Sequence, residues 1–324
     1  MKAALKFLLS TRCGWAASAP LRAQGTYVLM YHRITLPGDF FEGVTLENFR
    51  RHMRWVKEHC TPIWPEDVLR ACARPWRGKP PVVVTFDDGY RDYYDRAYPV
   101  LQELGIPAAV FLSTHYMDHG GLLWTEHVHW AVMRSRRETL ERPWAPGSVA
   151  VVADERSRHA FVAEAKRRLK EARDDDRRRW ADAIIHAADA DEPEKALGRQ
   201  MLSWDEVRGC ADGTCIGGHA HTHPVLSRMS AEAVDHEIAT CHRRIATETG
   251  RPPVAFAYPT GRACDFNEDT RRSLAKNGFR LSFSAIPGVN ITDTDAFALR
   301  RLHNWDSSVG DLAALMLKSR WHSA

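Results

Sequence analysis

The stretch Val82-Val83-Val84-Thr85-Phe86-Asp87-Asp88-Gly89-Tyr90 decides how the rest of the chain is read. Three β-branched residues in succession favour the pleated backbone of a buried strand. The run ends in two adjacent carboxylates and a glycine. Neighbouring side chains on a strand point to opposite faces. Asp87 and Asp88 therefore share a site only if the strand stops there and the backbone turns, which Gly89 permits. Two acids at the carboxyl end of a parallel strand stand where α/β and barrel folds place their chemistry. Asp and Gly are also ordinary turn residues, so a solvated turn explains the same letters. The second half of the chain decides between the two.

Around this strand the chain alternates. Thr26 to Tyr31 reads as a strand ending at His32-Arg33, and Leu46 to His59 as a helix capped by Thr45. Asp92 to Leu104 has helical spacing, Gly105 stops it, and Ile106 to Leu112 returns as a strand, which makes a βαβ unit. The rhythm resumes with a helix from Ser203, a strand at Thr214 to Gly218, a helix at Ser230 to Gly250 and a strand at Val254 to Tyr258. A helix at Asn267 to Gly278, strands at Phe279 to Ser284 and Ala298 to His303, and a helix at Val309 to Ser319 follow. The pattern predicts an α/β fold over 26–117 and 201–324. Residues 118–200 read as a mostly helical, charge-rich insertion, with a strand only at Ser148 to Val152. A charge-laced helix is usually a solvated face, and a lid over a site is the functional alternative.

Composition narrows the function classes. The 324 residues are 44% hydrophobic and 27% charged, ordinary for a globular protein. A net charge of +4, interleaved with acids, gives no footprint for nucleic acid. Seven scattered cysteines, an odd count without a Cys-x-x-Cys pair, suit reduced thiols. Residues 1–25 read as a short amphipathic leader: Lys6 and Arg12 interrupt the apolar run too early for a secretion signal, which points to the cytoplasm. No run of apolar residues is long enough to span a membrane, which leaves at most peripheral contact.

The second half contributes Ile216-Gly217-Gly218-His219-Ala220-His221-Thr222-His223-Pro224, three histidines within five positions at the end of a strand. Imidazole is the commonest protein ligand for zinc and suits other first-row metals. One Asp with two His makes a set that also serves iron(II) oxygenases. A second carboxylate beside it separates the readings, because a hydrolase needs a base for its water.

With these residues in view, the sequence resembles the polysaccharide deacetylase family, carbohydrate esterase family 4. The first motif of that family, Thr-Phe-Asp-Asp-Gly, stands intact as Thr85 to Gly89. The second, His-(Ser/Thr)-x-x-His, lies at His219 to His223, and the third, a strand running into an aromatic-Pro-x-Gly turn, is Phe256 to Gly261. The resemblance implies an irregular (β/α) barrel, which can have fewer than eight strands, carrying the insertion. It implies hydrolysis of N-acetyl groups on an amino-sugar glycan, with one divalent metal, most often Zn2+, with Co2+, Ni2+ or Fe2+ as alternatives. In it Asp87 would be the general base, and Asp88, His219 and His223 the metal ligands. The amide of Thr260 would help hold an oxyanion, while His221 occupies no ligand position. Tyr90, Tyr258 and Pro259 would border the substrate, and Trp124 and Trp305 could stack on sugar faces.

Departures from the motifs leave two roles to be filled. Ala220 stands where the family has Ser or Thr, and Ala257 where it often has an Arg that orients the base. Arg301 is the expected substitute, with Arg262 as the alternative. For the general acid, His32 is preferred over His303. An O-acetyl esterase using the same site, and a glycan-binding protein without turnover, remain the competing readings.

Overall fold

The computed structural model describes residues 3–19, 24–303 and 307–319. Seven parallel strands form its centre: β1 (Tyr27–Tyr31), β2 (Pro81–Phe86), β3 (Ala108–Leu112), β4 (Thr214–Gly218), β5 (Ala255–Ala257), β6 (Leu281–Phe283) and β7 (Leu302–His303). Their order is β6-β5-β4-β3-β2-β1-β7, and every pairing is parallel. A two-residue strand, Thr61–Pro62, also pairs with the start of β2. A parallel bridge between Phe283 and Leu299 ties β6 to the chain leading into β7, which pairs with β1. The sheet thereby curls into the expected irregular (β/α) barrel. β1, β2 and β3 are buried along their whole length, as parallel strands covered on both faces must be.

Local chemistry fixes the flanking helices. Thr45 caps α1 (Leu46–His59), its hydroxyl accepting from the Asn48 amide. The helix expected from Asp92 opens instead with a wide turn over Tyr93–Ala97 and tightens only at Tyr98–Leu104. Pro99 lies at the junction, and its ring and missing amide disrupt the regular pattern.

Between β3 and β4 the chain builds α2 (Trp124–Met133), α3 (Glu155–Glu171) and α4 (Asp174–Ala188). It also builds an antiparallel hairpin of Thr139–Glu141 with Val149–Val151. The charged stretch Lys166 to Arg179 spans two helices: it breaks at Ala172 and Arg173, both extended, and three aspartates open α4. Phe161, Leu169, Ile184 and Val128 form an apolar centre of this segment's own. After β4 comes α5 (Ala231–Thr249), capped by Ser230.

Within the leader segment, helix Ala3–Ser10 lies against Val309–Lys318. The Lys6 carbonyl sits so close to Gly310 that a Cβ there would be 2.5 Å from it. Trp15 is buried against Trp55, with its indole N–H on the His59 carbonyl at 3.3 Å. Among the described residues no helix is long and apolar enough to cross a membrane. All seven cysteines are free thiols.

Candidate metal and catalytic site

The site grows from the ends of β2 and β4. The amide of Asp87 still bonds the Tyr31 carbonyl at 3.0 Å, so Asp87 completes the strand ladder. The turn begins one residue earlier than Gly89: Asp88 itself is left-handed, at φ +78. That twist brings two consecutive carboxylates onto the same cavity. On β4, a Cβ at Gly217 would stand 2.4 Å from the Phe111 ring and 2.8 Å from the Ala255 carbonyl. Only glycine lets β3 and β5 close this tightly around the strand that delivers His219.

Asp88 Oδ1 lies 3.2 Å from Nε2 of both His219 and His223. These ligand atoms gather within 4.8 Å of one another, and all three residues are buried. Yet Asp88 Oδ1 has no partner in hydrogen-bonding geometry. A buried carboxylate oxygen left this way between two ring nitrogens is what a cation would satisfy. The His219 Nδ1 meets the Ala257 carbonyl at 2.7 Å, which puts its proton there and leaves the Nε2 lone pair facing Asp88. The residues present therefore fit a divalent metal.

Asp87 is gripped from behind. Arg301, 1% exposed, brings Nη1 and Nη2 to the two carboxylate oxygens, each at 2.7 Å. Its Nε donates to the Ser284 carbonyl at 2.7 Å. Burial works to raise the Asp87 pKa, but the Arg301 charge, aided by His219 and His32, outweighs it and holds the carboxyl below its ordinary range. Arg262, the alternative orienting residue, is spent on Asp265 instead. His32 brings Nε2 to 3.9 Å from Asp87 Oδ2 and is partly exposed. His303 lies beside it, ring centroids 5.4 Å apart, and also lines the cavity rather than the outer surface. Burial, with His32 next to it, pushes His303 down to about 4.

The other expected contacts divide. Tyr90 lines the cavity with its ring over the Arg33 guanidinium, 3.7 Å from centroid to Cζ. Thr260 lines it too, left-handed at φ +59, its hydroxyl donating to Asp265 at 2.7 Å. Tyr258 borders the cavity, but its hydroxyl donates to the Phe297 carbonyl and accepts from Ser282, and its ring stacks on Phe266 at 4.0 Å. Tyr258 thus holds the turn in place and has no hydroxyl to offer a sugar. Pro259 is buried and does not line the cavity. Trp124 is not a free stacking platform: it is 6% exposed, and its indole N–H donates to the His223 carbonyl at 3.0 Å. Trp305 lies outside the described residues.

Two supports have no counterpart in the motif reading. Glu237 on α5 accepts from the amides of His221 and Thr222 at 2.9 and 2.8 Å and from the Thr222 hydroxyl at 2.7 Å. It braces the loop in which Ala220 lacks a hydroxyl. Arg33 forms a two-pronged pair with Glu126 of α2, at 2.7 and 2.9 Å, and reaches Asp92 at 3.2 Å, which ties the inserted segment to the barrel. Neither residue belongs to a local pattern; an unpaired acid on the inner face of α5 was the one available sign of Glu237. Among the described residues five non-glycine positions have positive φ, and four of them surround this site: Asp88, Ala220, His223 and Thr260. Backbone strain of this kind collects where geometry is functional.

The cavity over these groups holds about 830 Å3, with Thr125, Glu126, Lys166 and Lys170 of the inserted segment forming its far wall. A family profile described as Polysaccharide deacetylase matches residues 76–282. YxkH of Bacillus subtilis (strain 168) is 20% identical over 280 residues, 85% of this chain and 70% of that one. Among solved structures, the Streptococcus pyogenes deacetylase PplD in complex with acetate superposes with a TM-score of 0.59 at 17% identity, covering 91% of this chain and 99% of that one. IcaB from Ammonifex degensii does so at 0.57 and 19%, covering 91% and 98%. At these identities the likeness is one of fold.

Proposed function

The chain belongs to the polysaccharide deacetylase family, and from that premise we propose that it hydrolyses N-acetyl groups on an amino-sugar glycan with one divalent cation. The observation that carries the reading is the convergence, in one cavity, of the Asp88, His219 and His223 ligand atoms beside the Asp87–Arg301 pair. Asp88, His219 and His223 would hold the cation, and two imidazoles with a carboxylate suit zinc. A cation there supplies positive charge that polarises the acetamide carbonyl and makes a water molecule more acidic.

The protein's own groups do the rest. Asp87, kept ionised by Arg301, takes the proton from the attacking water at its carboxylate. Arg301 fixes both oxygens, so the base cannot rotate away from that water. The turn at Thr260 would present its amide to the developing oxyanion. His32, within 3.9 Å of Asp87 and open to solvent on one side, would protonate the departing amine. Tyr90 and Arg33, stacked on each other, would form a fixed wall beside a bound acetyl group.

The test is acetate release from a panel of N-acetylated and O-acetylated oligosaccharides. It is run metal-stripped and with zinc, cobalt or nickel restored, beside Asp87→Asn. Release that depends on metal and vanishes in Asp87→Asn supports the reading. Faster release from O-acetyl substrates would make the protein an esterase. Sugar binding without release from any substrate would make it a glycan-binding protein.

A further inference from the structure

Lys166 and Lys170 sit one helical turn apart on α3, hence on one face, and both line the cavity that contains Asp87 and Asp88. Both are half-buried. The other cations of the cavity are committed: Arg33 to Glu126 and Asp92, Arg301 to Asp87. Among the described residues neither lysine has an ion-pair or hydrogen-bond partner. Burial pushes both below the ordinary lysine range. Glu126, Glu42 and Lys170 act on Lys166; Arg262, Asp265 and Asp88 act on Lys170. Of these carboxylates Glu126 is held by Arg33, Asp265 by Arg262, and Asp88 faces the two histidines. Only Glu42, exposed at the rim, is uncommitted. With a divalent cation in place, the unpaired charge of the cavity is therefore net positive. Half-buried ammonium groups without counter-charges are costly to keep, and an arriving anion relieves that cost.

We propose that Lys166 and Lys170 are specificity-determining residues that select glycans carrying an anionic group, a carboxylate or a phosphate, on or next to the N-acetylated sugar. The inference rests on the deacetylase reading above and adds the substrate's charge to it. The inserted segment then does more than cover the site: it brings the recognising charges from outside the barrel.

The experiment uses three oligosaccharides of equal length. One is a neutral N-acetylglucosamine oligomer, one alternates N-acetylglucosamine with a uronic acid, and one is the neutral oligomer bearing a terminal phosphate. Acetate release by the metal-loaded protein gives kcat/KM for wild type, K166Q, K170Q, the double variant and K166R/K170R. Affinity is measured by calorimetry on the metal-free proteins, which needs no turnover. We expect one or both anionic oligomers to exceed the neutral one by about tenfold or more in kcat/KM. That ratio falls toward one in K166Q/K170Q, mainly through KM, and survives in K166R/K170R. The better of the two anionic arms identifies the carboxylate or the phosphate as the recognised group. Deacetylation of the neutral oligomer as fast as of both anionic ones overturns the proposal and leaves the deacetylase reading standing. So does a ratio that persists in the double Gln variant. If no oligomer releases acetate, the deacetylase reading falls, and affinity alone decides: equal binding of neutral and anionic oligomers, or binding indifferent to both lysines, overturns the proposal.

Discussion

Arg301 meets Asp87 with both prongs of its guanidinium at 2.7 Å while the Ser284 carbonyl holds its Nε, so the base is locked in plane. Lysine keeps the charge but cannot make the fork. Arg301→Lys should therefore lower kcat by roughly 10- to 100-fold through misplacement of the carboxylate, with metal content unchanged. Arg301→Met strands a buried carboxylate and should cost about 3–5 kcal/mol of stability. Steady-state kinetics and denaturant midpoints check both; a wild-type kcat in Arg301→Lys would remove Asp87 positioning from the mechanism.

Chelation tests the ligand set directly. The protein should take up one equivalent of zinc after stripping, and Asp88→Asn, His219→Ala or His223→Ala should each lose it. A cation that binds only the folded state adds about 2.7 kcal/mol at roughly a hundredfold excess over its dissociation constant, so stripping should lower the melting temperature. Elemental analysis and thermal melts read the two effects. An unchanged metal content in Asp88→Asn would place the ion elsewhere.

Glu237 takes three hydrogen bonds from the loop between His219 and His223. Glu237→Ala leaves those donors without their partner and should destabilise the protein by about 2–3 kcal/mol. Because the loop aims His223, zinc affinity should also weaken by about 10- to 100-fold. Competition with a chromogenic chelator measures it. A loss of stability with unaltered affinity would confine Glu237 to folding.

Glu206 offers a pH test away from the site. Hydrogen bonds from Arg199, and from the Ser203 amide that it caps, outweigh burial and lower its pKa to about 2. A carboxyl depressed in the folded state stabilises above its unfolded pKa, and that contribution fades as pH falls through the folded value. Glu206→Gln should cost about 1 kcal/mol at neutral pH, a figure kept small because Arg199 is partly exposed. The difference from wild type should shrink between about pH 4.5 and pH 2. Urea titrations across that range would show it; a constant difference would mean that packing, not charge, is what the variant loses.

What could be read in the letters was local. Val82 to Gly89 announces a strand and a turn because both depend on neighbouring residues. Gly217, Gly218 and the histidines after them do the same. The task of Glu237 could not be read because its partners lie about fifteen residues back, across a loop that holds left-handed Ala220 and His223. That the Tyr258 hydroxyl is committed could not be read, since its partner, the Phe297 carbonyl, is 39 residues away. The lysines of α3 share the composition of any solvated helix, and only the packing of that helix over the barrel mouth distinguishes them.

Strands β3 and β4 run side by side in register, Ala108 opposite Thr214, although the whole inserted segment separates them in sequence. Asp88 comes before that excursion and both histidines after it. Joining them requires closing a very long loop, and such distant pairings are the slow part of folding. During refolding, capture of a metal ion should thus lag behind the formation of helices and of the first three strands, and its time course would clock the docking of β4 beside β3.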